Sequence, residues 1–200
     1  MRVDPKSCVY LIGTFDNPKV AHVAYDAIAG LLAAHKSLRL STPITLYISC
    51  SGGYVELGLA IQSVIEQIRR EGRKVIAHVL GYAFSSAFDI VQHCDVRRAE
   101  PTAGFMTHEE QGADMSGSTS KTELEVIFSR KMELAQIEVY KQRTGKQVGF
   151  FKAKIKHRDW AMTAQEALKA GFLDEVVSTV PFTAVPRLSL RRKRSVDVED

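Results

Sequence analysis

Two near-continuous apolar runs, residues 44–50 and 75–80, set the strongest limit on what this chain can fold into. Runs of that length, opened by Pro43 in one case and preceded by Gly72 in the other, read as strands buried in a parallel sheet. Between them Leu57, Ile61, Val64, Ile65 and Ile68 recur at helical spacing, so residues 56–70 form an amphipathic helix that carries the chain back across the sheet. The same alternation precedes and follows this unit. Residues 9–12, closed by Gly13, predict a strand. Residues 18–35 predict a helix, with Val20, Val23, Ala24, Ala27, Ile28, Leu31 and Leu32 on one face. Downstream, residues 85–94 read as a short helix and 103–107 as a strand. Helices follow over 122–143, 147–155 and 163–170, then a last strand over 175–180. The order β-α-β-α-β-α-β-α-α-α-β defines an α/β fold with crossover connections. Residues 111–120, rich in Gly, Ser and Asp, read as a loop. In the helix after it, Leu124, Phe128, Met132, Ala135 and Val139 form one stripe, which Leu134 and Ile137 widen. A helix this apolar needs partners on more than one side, which points to contacts between subunits.

Composition removes several classes. At 200 residues, with 45% apolar and 25% charged residues, the chain suits one globular domain with a real core. Of the formal net charge of +4, residues 187–200 supply +2 through five basic and three acidic groups. The body is nearly neutral, so no nucleic-acid surface is expected, and the basic run Arg191-Arg192-Lys193-Arg194 reads as a solvated, disordered end. Cys8, Cys50 and Cys94 are odd in number and form no CxxC, as reduced core residues of a cytoplasmic protein do. No apolar run reaches the ~20 residues of a membrane span. Met1-Arg2-Val3-Asp4-Pro5 has no signal-peptide apolar region. His93 and His157 lack metal-ligand spacing, and no Gly-rich loop matches a dinucleotide or P-loop pattern, so no metal or cofactor is expected.

Four short stretches carry chemistry. Ser85 follows a glycine-started turn after a buried strand and opens a helix. A hydroxyl there sits at the positive end of the helix dipole, as a nucleophile with an anionic intermediate requires. The plain alternative is that Ser85 or Ser86 only caps the helix. Ser51-Gly52-Gly53 joins the strand over 44–50 to the helix over 56–70. Paired glycines let backbone N–H groups approach a ligand, and equally make a tight turn. His108, beside Glu109 and Glu110, is a candidate general base or else a surface histidine. Asp159, between Arg158 and Trp160, is a candidate orienter of that imidazole, or else an N-cap or an ion pair with Arg158.

Taken in order, these stretches resemble one family. Tyr47-Ile48-Ser49-Cys50-Ser51-Gly52-Gly53, Gly58, Gly81-Tyr82-Ala83-Phe84-Ser85, Phe105-Met106-Thr107-His108, Arg158-Asp159 and Thr163-Ala164-Gln165-Glu166-Ala167 resemble the proteolytic subunit of the Clp protease, ClpP. The resemblance runs from about Val9 to Val177. It implies a ClpP/crotonase-like spiral of ββα units with a protruding handle helix, as a single domain over residues 1–180. The handle would span about 111–143, and a charged, disordered tail would follow over 181–200. It also implies a serine endopeptidase in which Ser85 is the nucleophile, His108 the base and Asp159 its orienter. The N–H groups of Gly53 and Ser86 would form the oxyanion hole. The family stacks two heptameric rings into a chamber, cleaves peptides or unfolded proteins, and is fed by an AAA+ unfoldase. Arg158 matches an arginine that pairs across the ring interface.

Departures qualify the resemblance. Cys50-Ser51 replaces the family's Ser-Pro, Tyr82 and Phe84 replace Gln and Ala, and Ser86-Ala87 replaces Met-Gly. Asp89 stands in a helix that is mostly apolar in the family, and the sequence gives no account of it. The chain begins close to the first core strand, so the family's axial-gate segment is expected to be missing. Thr45, Gln67 and His78 make the unfoldase docking positions polar. Two other functions are therefore weighed: a catalytically silent ring subunit, and a crotonase-fold acyl-CoA enzyme. The second explains Gly52-Gly53 but gives Ser85, His108 and Asp159 no joint role.

Overall fold

The computed structural model describes residues 4–109, 119–156 and 158–178. His157, the first part of the expected handle and the expected tail lie outside the described residues. The elements run β1 (Cys8–Phe15), α1 (His22–Ser37), β2 (Ile44–Gly53), α2 (Val55–Arg70), β3 (Val75–Phe84), α3 (Ser86–His93), β4 (Val96–Ala99), β5 (Gly104–Thr107), α4 (Thr119–Thr144), α5 (Val148–Ile155), β6 (Trp160–Thr163), α6 (Ala164–Ala170) and β7 (Glu175–Val176). The parallel sheet has the order β1-β2-β3-β4-β7. β3 is long enough to serve two neighbours. Its first half pairs with β4 through Ile76 to Val79, and its last residues, Tyr82 to Phe84, pair with β5. β5 in turn pairs antiparallel with β6. The end of β3 therefore lies beside the end of β5.

Ile44, Leu46, Ile48 and Cys50 are buried, while Thr45, Tyr47 and Ser49 between them are only half-buried. This differs from strands buried on both faces. In the single chain α1, α2 and α3 cover one face, and Tyr10, Ile12 and Leu80 stand exposed. The alternation of Thr45, Tyr47 and Ser49 with aliphatic residues already has the period of a half-covered strand. Tyr10 stacks on Tyr47, and Tyr47 on His78, across this open face.

Two strands are absent from the sequence reading. β4 carries Arg97 and Arg98, which conceal its apolar pattern. Arg97 is 5% exposed, and its guanidinium is held by four hydrogen bonds. It bonds both oxygens of Asp174, the side-chain carbonyl of Gln92 and the main-chain carbonyl of Gly171. β6 has four residues, too few for a visible period. α1 also starts later than expected, at His22. Asn17 accepts a bond from the Lys19 N–H and holds residues 17–20 in a turn. Elsewhere local signals act as expected. Thr163 and Glu166 form a capping box, Gly171 closes α6 with φ 91°, and Gly145 closes α4 with φ 71°.

The second half of α4 is anchored by aromatic packing. Tyr140 meets Phe88, Phe151 and Phe172 edge-on, and Trp160 meets Phe172. Nearer its start, Ile127, Phe128 and Leu134 are 50%, 51% and 46% exposed.

The Arg97–Asp174 pair yields a pH-dependent expectation. Burial alone would raise the Asp174 carboxyl, but its hydrogen bonds from Arg97 hold it below the usual range. A depressed carboxyl contributes stability above its unfolded pKa of about 4, and loses it as pH falls through the folded value. Asp174 is 41% exposed, so the effect is modest. Asp174→Asn is expected to cost about 1–2 kcal/mol at pH 7 in urea denaturation, with the difference fading below pH ~3.

Candidate active site

The turn from β3 into α3 presents Ser85 in a strained conformation. With φ 52° and ψ −131°, it is the one non-glycine residue with positive φ among the described residues. Such a turn throws the side chain outward from the end of a strand. The Ser85 N–H donates to the carbonyl of Met106 in β5, and its own carbonyl accepts from the N–H groups of Phe88 and Asp89. Ser85 occupies the N-cap position of α3, but its side chain makes no capping bond. The hydroxyl instead lies 2.9 Å from Nε2 of His108. The capping alternative for Ser85 is thereby set aside. Ser86 is tied elsewhere, its hydroxyl donating to the carbonyl of Gly53 at 3.0 Å.

Gly52 and Gly53 bring the preceding β–α turn against this one. Gly52 has φ 87°, and a Cβ on it would lie 2.7 Å from the Phe84 carbonyl oxygen and 3.0 Å from the Ser86 nitrogen. A Cβ on Gly53, at φ 150°, would lie 2.3 Å from the carbonyl carbon of Phe15. Both contacts are with backbone, which cannot yield as a flexible side chain can. Ser86 is the first residue of α3, so its N–H has no acceptor within the helix. The N–H of Gly52 is turned inward to Sγ of Cys50 at 3.3 Å. Burial pushes that thiol up to about 11, so it stays protonated.

His108 is fixed from its other side by its own neighbour. Nδ1 lies 2.6 Å from the carbonyl oxygen of Glu109. A carbonyl can only accept, so Nδ1 carries the proton and Nε2 is left as the acceptor facing the Ser85 hydroxyl. That is the tautomer a general base needs.

Asp159 is not part of this hydrogen-bonded set. It is exposed and makes no hydrogen bond or ion pair among the described residues. It is neither the cap of α6, which is Thr163, nor the partner of Arg158, whose guanidinium donates to the carbonyls of Ala153 and Lys154. Its place in the chain is nonetheless informative. β5 and β6 pair Gly104 with Thr163 and finish with Thr107 opposite Trp160. The next pair in that register is His108 with Asp159. Directly opposed residues of an antiparallel pair lie within side-chain reach.

Beside Ser85 and His108 opens a cavity of about 390 Å³, walled by α2, α3 and α4. Asp89 is one of its lining residues. The Tyr140 hydroxyl donates to Asp89 and lies 3.0 Å from the Thr107 hydroxyl, so α3, α4 and β5 meet through one polar link. Burial pushes the Asp89 carboxyl up to about 7, against the lowering effect of the Tyr140 bond. The sequence offered no role for Asp89. An acid in the apolar pattern of 85–94 was the available signal, but its neighbours come from distant elements.

The family model of Clp protease matches residues 12–180, and the chain belongs to that family. The ATP-dependent Clp protease proteolytic subunit 2 of Thermobifida fusca (strain YX) is 31% identical over 145 residues, or 69% of this chain and 66% of that protein. Proteolytic subunit 1 of Protochlamydia amoebophila (strain UWE25) is 32% identical over 140 residues, 68% of this chain and 66% of that protein. The chain thus spans just under two thirds of the length of these relatives. Among solved structures, a ClpP1 mutant from Listeria monocytogenes superposes with a TM-score of 0.73 at 22% identity, covering 87% of this chain and 92% of that one. The mixed α/β architecture with its mainly parallel sheet is the ClpP fold.

The strained turn can be tested without any substrate. Glycine tolerates positive φ and alanine does not. Ser85→Gly is expected to be more stable than Ser85→Ala by about 1 kcal/mol in thermal or denaturant unfolding. Equal stabilities would show that the turn holds no strain.

Proposed function

We propose that this chain is a serine peptidase of the ClpP type, with Ser85 as nucleophile, His108 as general base and Asp159 as the acid behind it. The observation that carries the reading is the 2.9 Å contact between Ser85 Oγ and His108 Nε2, with the imidazole in the accepting tautomer. In this mechanism Nε2 takes the Ser85 proton as Oγ attacks a peptide carbonyl. The oxyanion is received by the N–H groups of Gly53 and Ser86 at the positive end of α3. His108 then gives its proton to the leaving amine. Water attacks the acyl-enzyme with His108 again as base, and the acid leaves.

Asp159 enters when the register of β5 and β6 extends by one pair. Its carboxylate would then replace the neutral Glu109 carbonyl at Nδ1 and stabilise the imidazolium. Exposed, and without a hydrogen bond or ion pair among the described residues, it is ready for that shift. That same state supports a second reading, a silent ring subunit in which the acid never engages. The crotonase-like alternative loses support, since a serine–imidazole pair has no part in holding a thioester enolate.

The exposed Ile127, Phe128 and Leu134 of α4 suit burial against further copies, as in stacked heptameric rings enclosing the sites. Peptides or unfolded proteins would be the substrates. An AAA+ unfoldase has less support, because His78 in the docking region is engaged with Glu100 at 2.9 Å and Thr45 and Gln67 are polar. Cys8, Cys50 and Cys94 are free thiols, which suits the reducing cytoplasm. No helix among the described residues is long and apolar enough to cross a membrane.

A fluorophosphonate probe is expected to label Ser85 in the assembled protein. Ser85→Ala is expected to lose labelling and to lower peptide cleavage at least ~10³-fold. Unchanged cleavage by Ser85→Ala would refute the assignment, and absent labelling in assembled rings would favour the silent subunit. Asp159→Ala is expected to lower kcat at least ~10²-fold. An unchanged kcat would mean that the Glu109 carbonyl is orienter enough.

A further inference from the structure

We propose that the cavity beside Ser85 receives a lysine or arginine side chain from the residue that donates the acyl group, with Asp89 as its counter-charge. The inference rests on Ser85 being the nucleophile and adds what the pocket next to it selects.

Three observations converge on a cationic occupant. The first is the charge of the walls. Asp16, Asp89 and Glu133 line the cavity, and among the described residues no lysine or arginine does. Burial and the neighbouring Glu109 raise the Glu133 carboxyl, but Lys152 and Arg130 stand near it and act the other way. Among the described residues Asp89 has no such partner. Its one hydrogen bond among the described residues comes from the neutral Tyr140 hydroxyl, and burial is the main influence on its carboxyl. Carboxylates elsewhere are treated differently. Asp174 is held by Arg97, and Asp95 and Glu66 by Arg69. Asp89 is half-buried, and a carboxylate partly withdrawn from water beside a cavity, with no cation near it, is stabilised when a cation arrives.

The second observation is Gln62. It is only 7% exposed, lines the same cavity, and makes no hydrogen bond to any described residue. Its amide oxygen is a second acceptor open to an incoming N–H. The third is the shape of the remaining wall. Met132 and Ile137 of α4 add apolar surface to the wall. The methylene stem of a lysine or arginine packs on such surface while its head reaches a carboxylate. The cavity, about 390 Å³, is within the range of side-chain and small-ligand sites. Ser85 and Asp89 are one helical turn apart, so a residue whose carbonyl meets Ser85 can direct its side chain toward Asp89.

The full-length protein is assayed at pH 8 with fluorogenic peptides that differ only in the residue before the scissile bond. Arginine and lysine peptides are expected to exceed leucine and phenylalanine peptides at least ~10-fold in kcat/KM. Asp89→Asn, which keeps the shape and a bond to Tyr140, is expected to lower that ratio at least ~10-fold. A wild-type preference for leucine or phenylalanine would overturn the proposal, as would a ratio that Asp89→Asn leaves unchanged. Fluorophosphonate labelling of Ser85, run in parallel, reports the peptidase reading separately. If neither labelling nor cleavage occurs, benzamidine binding to the wild-type chain by calorimetry decides. Binding lost in Asp89→Asn upholds a cation-accepting cavity, and absent binding overturns it.

Discussion

The site depends on a backbone contact that side chains would forbid. β2 and β3 each end in a turn to a helix, and the two turns pack directly on one another. Gly52 and Gly53 make this approach feasible, because a Cβ on either would lie under 3 Å from backbone of β1 or of the Ser85 turn. With that space closed, the start of α3, the Ser85 hydroxyl and Gly53 share one crevice. The Ser85 backbone gives up a relaxed conformation to point its hydroxyl into it. The packing of β3, β5 and α3 around the turn holds that conformation in place.

The imidazole shows how little is needed to set a protonation state. A carbonyl one residue away fixes the proton on Nδ1, and this alone makes Nε2 the acceptor. A neutral carbonyl orients the ring but does not offset the charge of an imidazolium. Asp159 stands one residue pair beyond the end of the β5–β6 ladder, in register with His108. Beneath the pair, the bonded hydroxyls and carboxyl of Thr107, Tyr140 and Asp89 tie the end of β5 to α3 and α4. The groups that hold His108 in place and those that line the adjoining cavity are therefore mechanically connected.

Among the described residues two apolar surfaces stand uncovered. One is the open face of the sheet around Tyr10 and Ile12, the other the exposed stripe of Ile127, Phe128 and Leu134 on α4. Phe128 and Leu134 belong to the apolar pattern read from the sequence, because helical periodicity needs no partner to be counted, whereas Ile127 lies outside that pattern and Ile137 within it is buried. The open sheet face was harder to read. Tyr47 and Ser49 look like members of one apolar run, and only the pleat shows that they turn away from Ile48 and Cys50.

What the sequence determined by itself is what acts over short range. The amphipathic periods of α1 and α2, the glycine stops at Gly145 and Gly171, and the positions of the two glycine-rich turns could all be read residue by residue. Tertiary structure alone decided what depends on residues distant in the chain. It made a strand of Val96–Ala99 because Asp174 neutralises Arg97, and it aimed Ser85 at His108 rather than at its own helix. It gave Asp89 a partner in Tyr140, and it left Asp159 one pair short of the imidazole. Periodicity and capping depend on neighbours a turn away, whereas a buried charge or a directed hydroxyl is defined by whatever the fold brings alongside it.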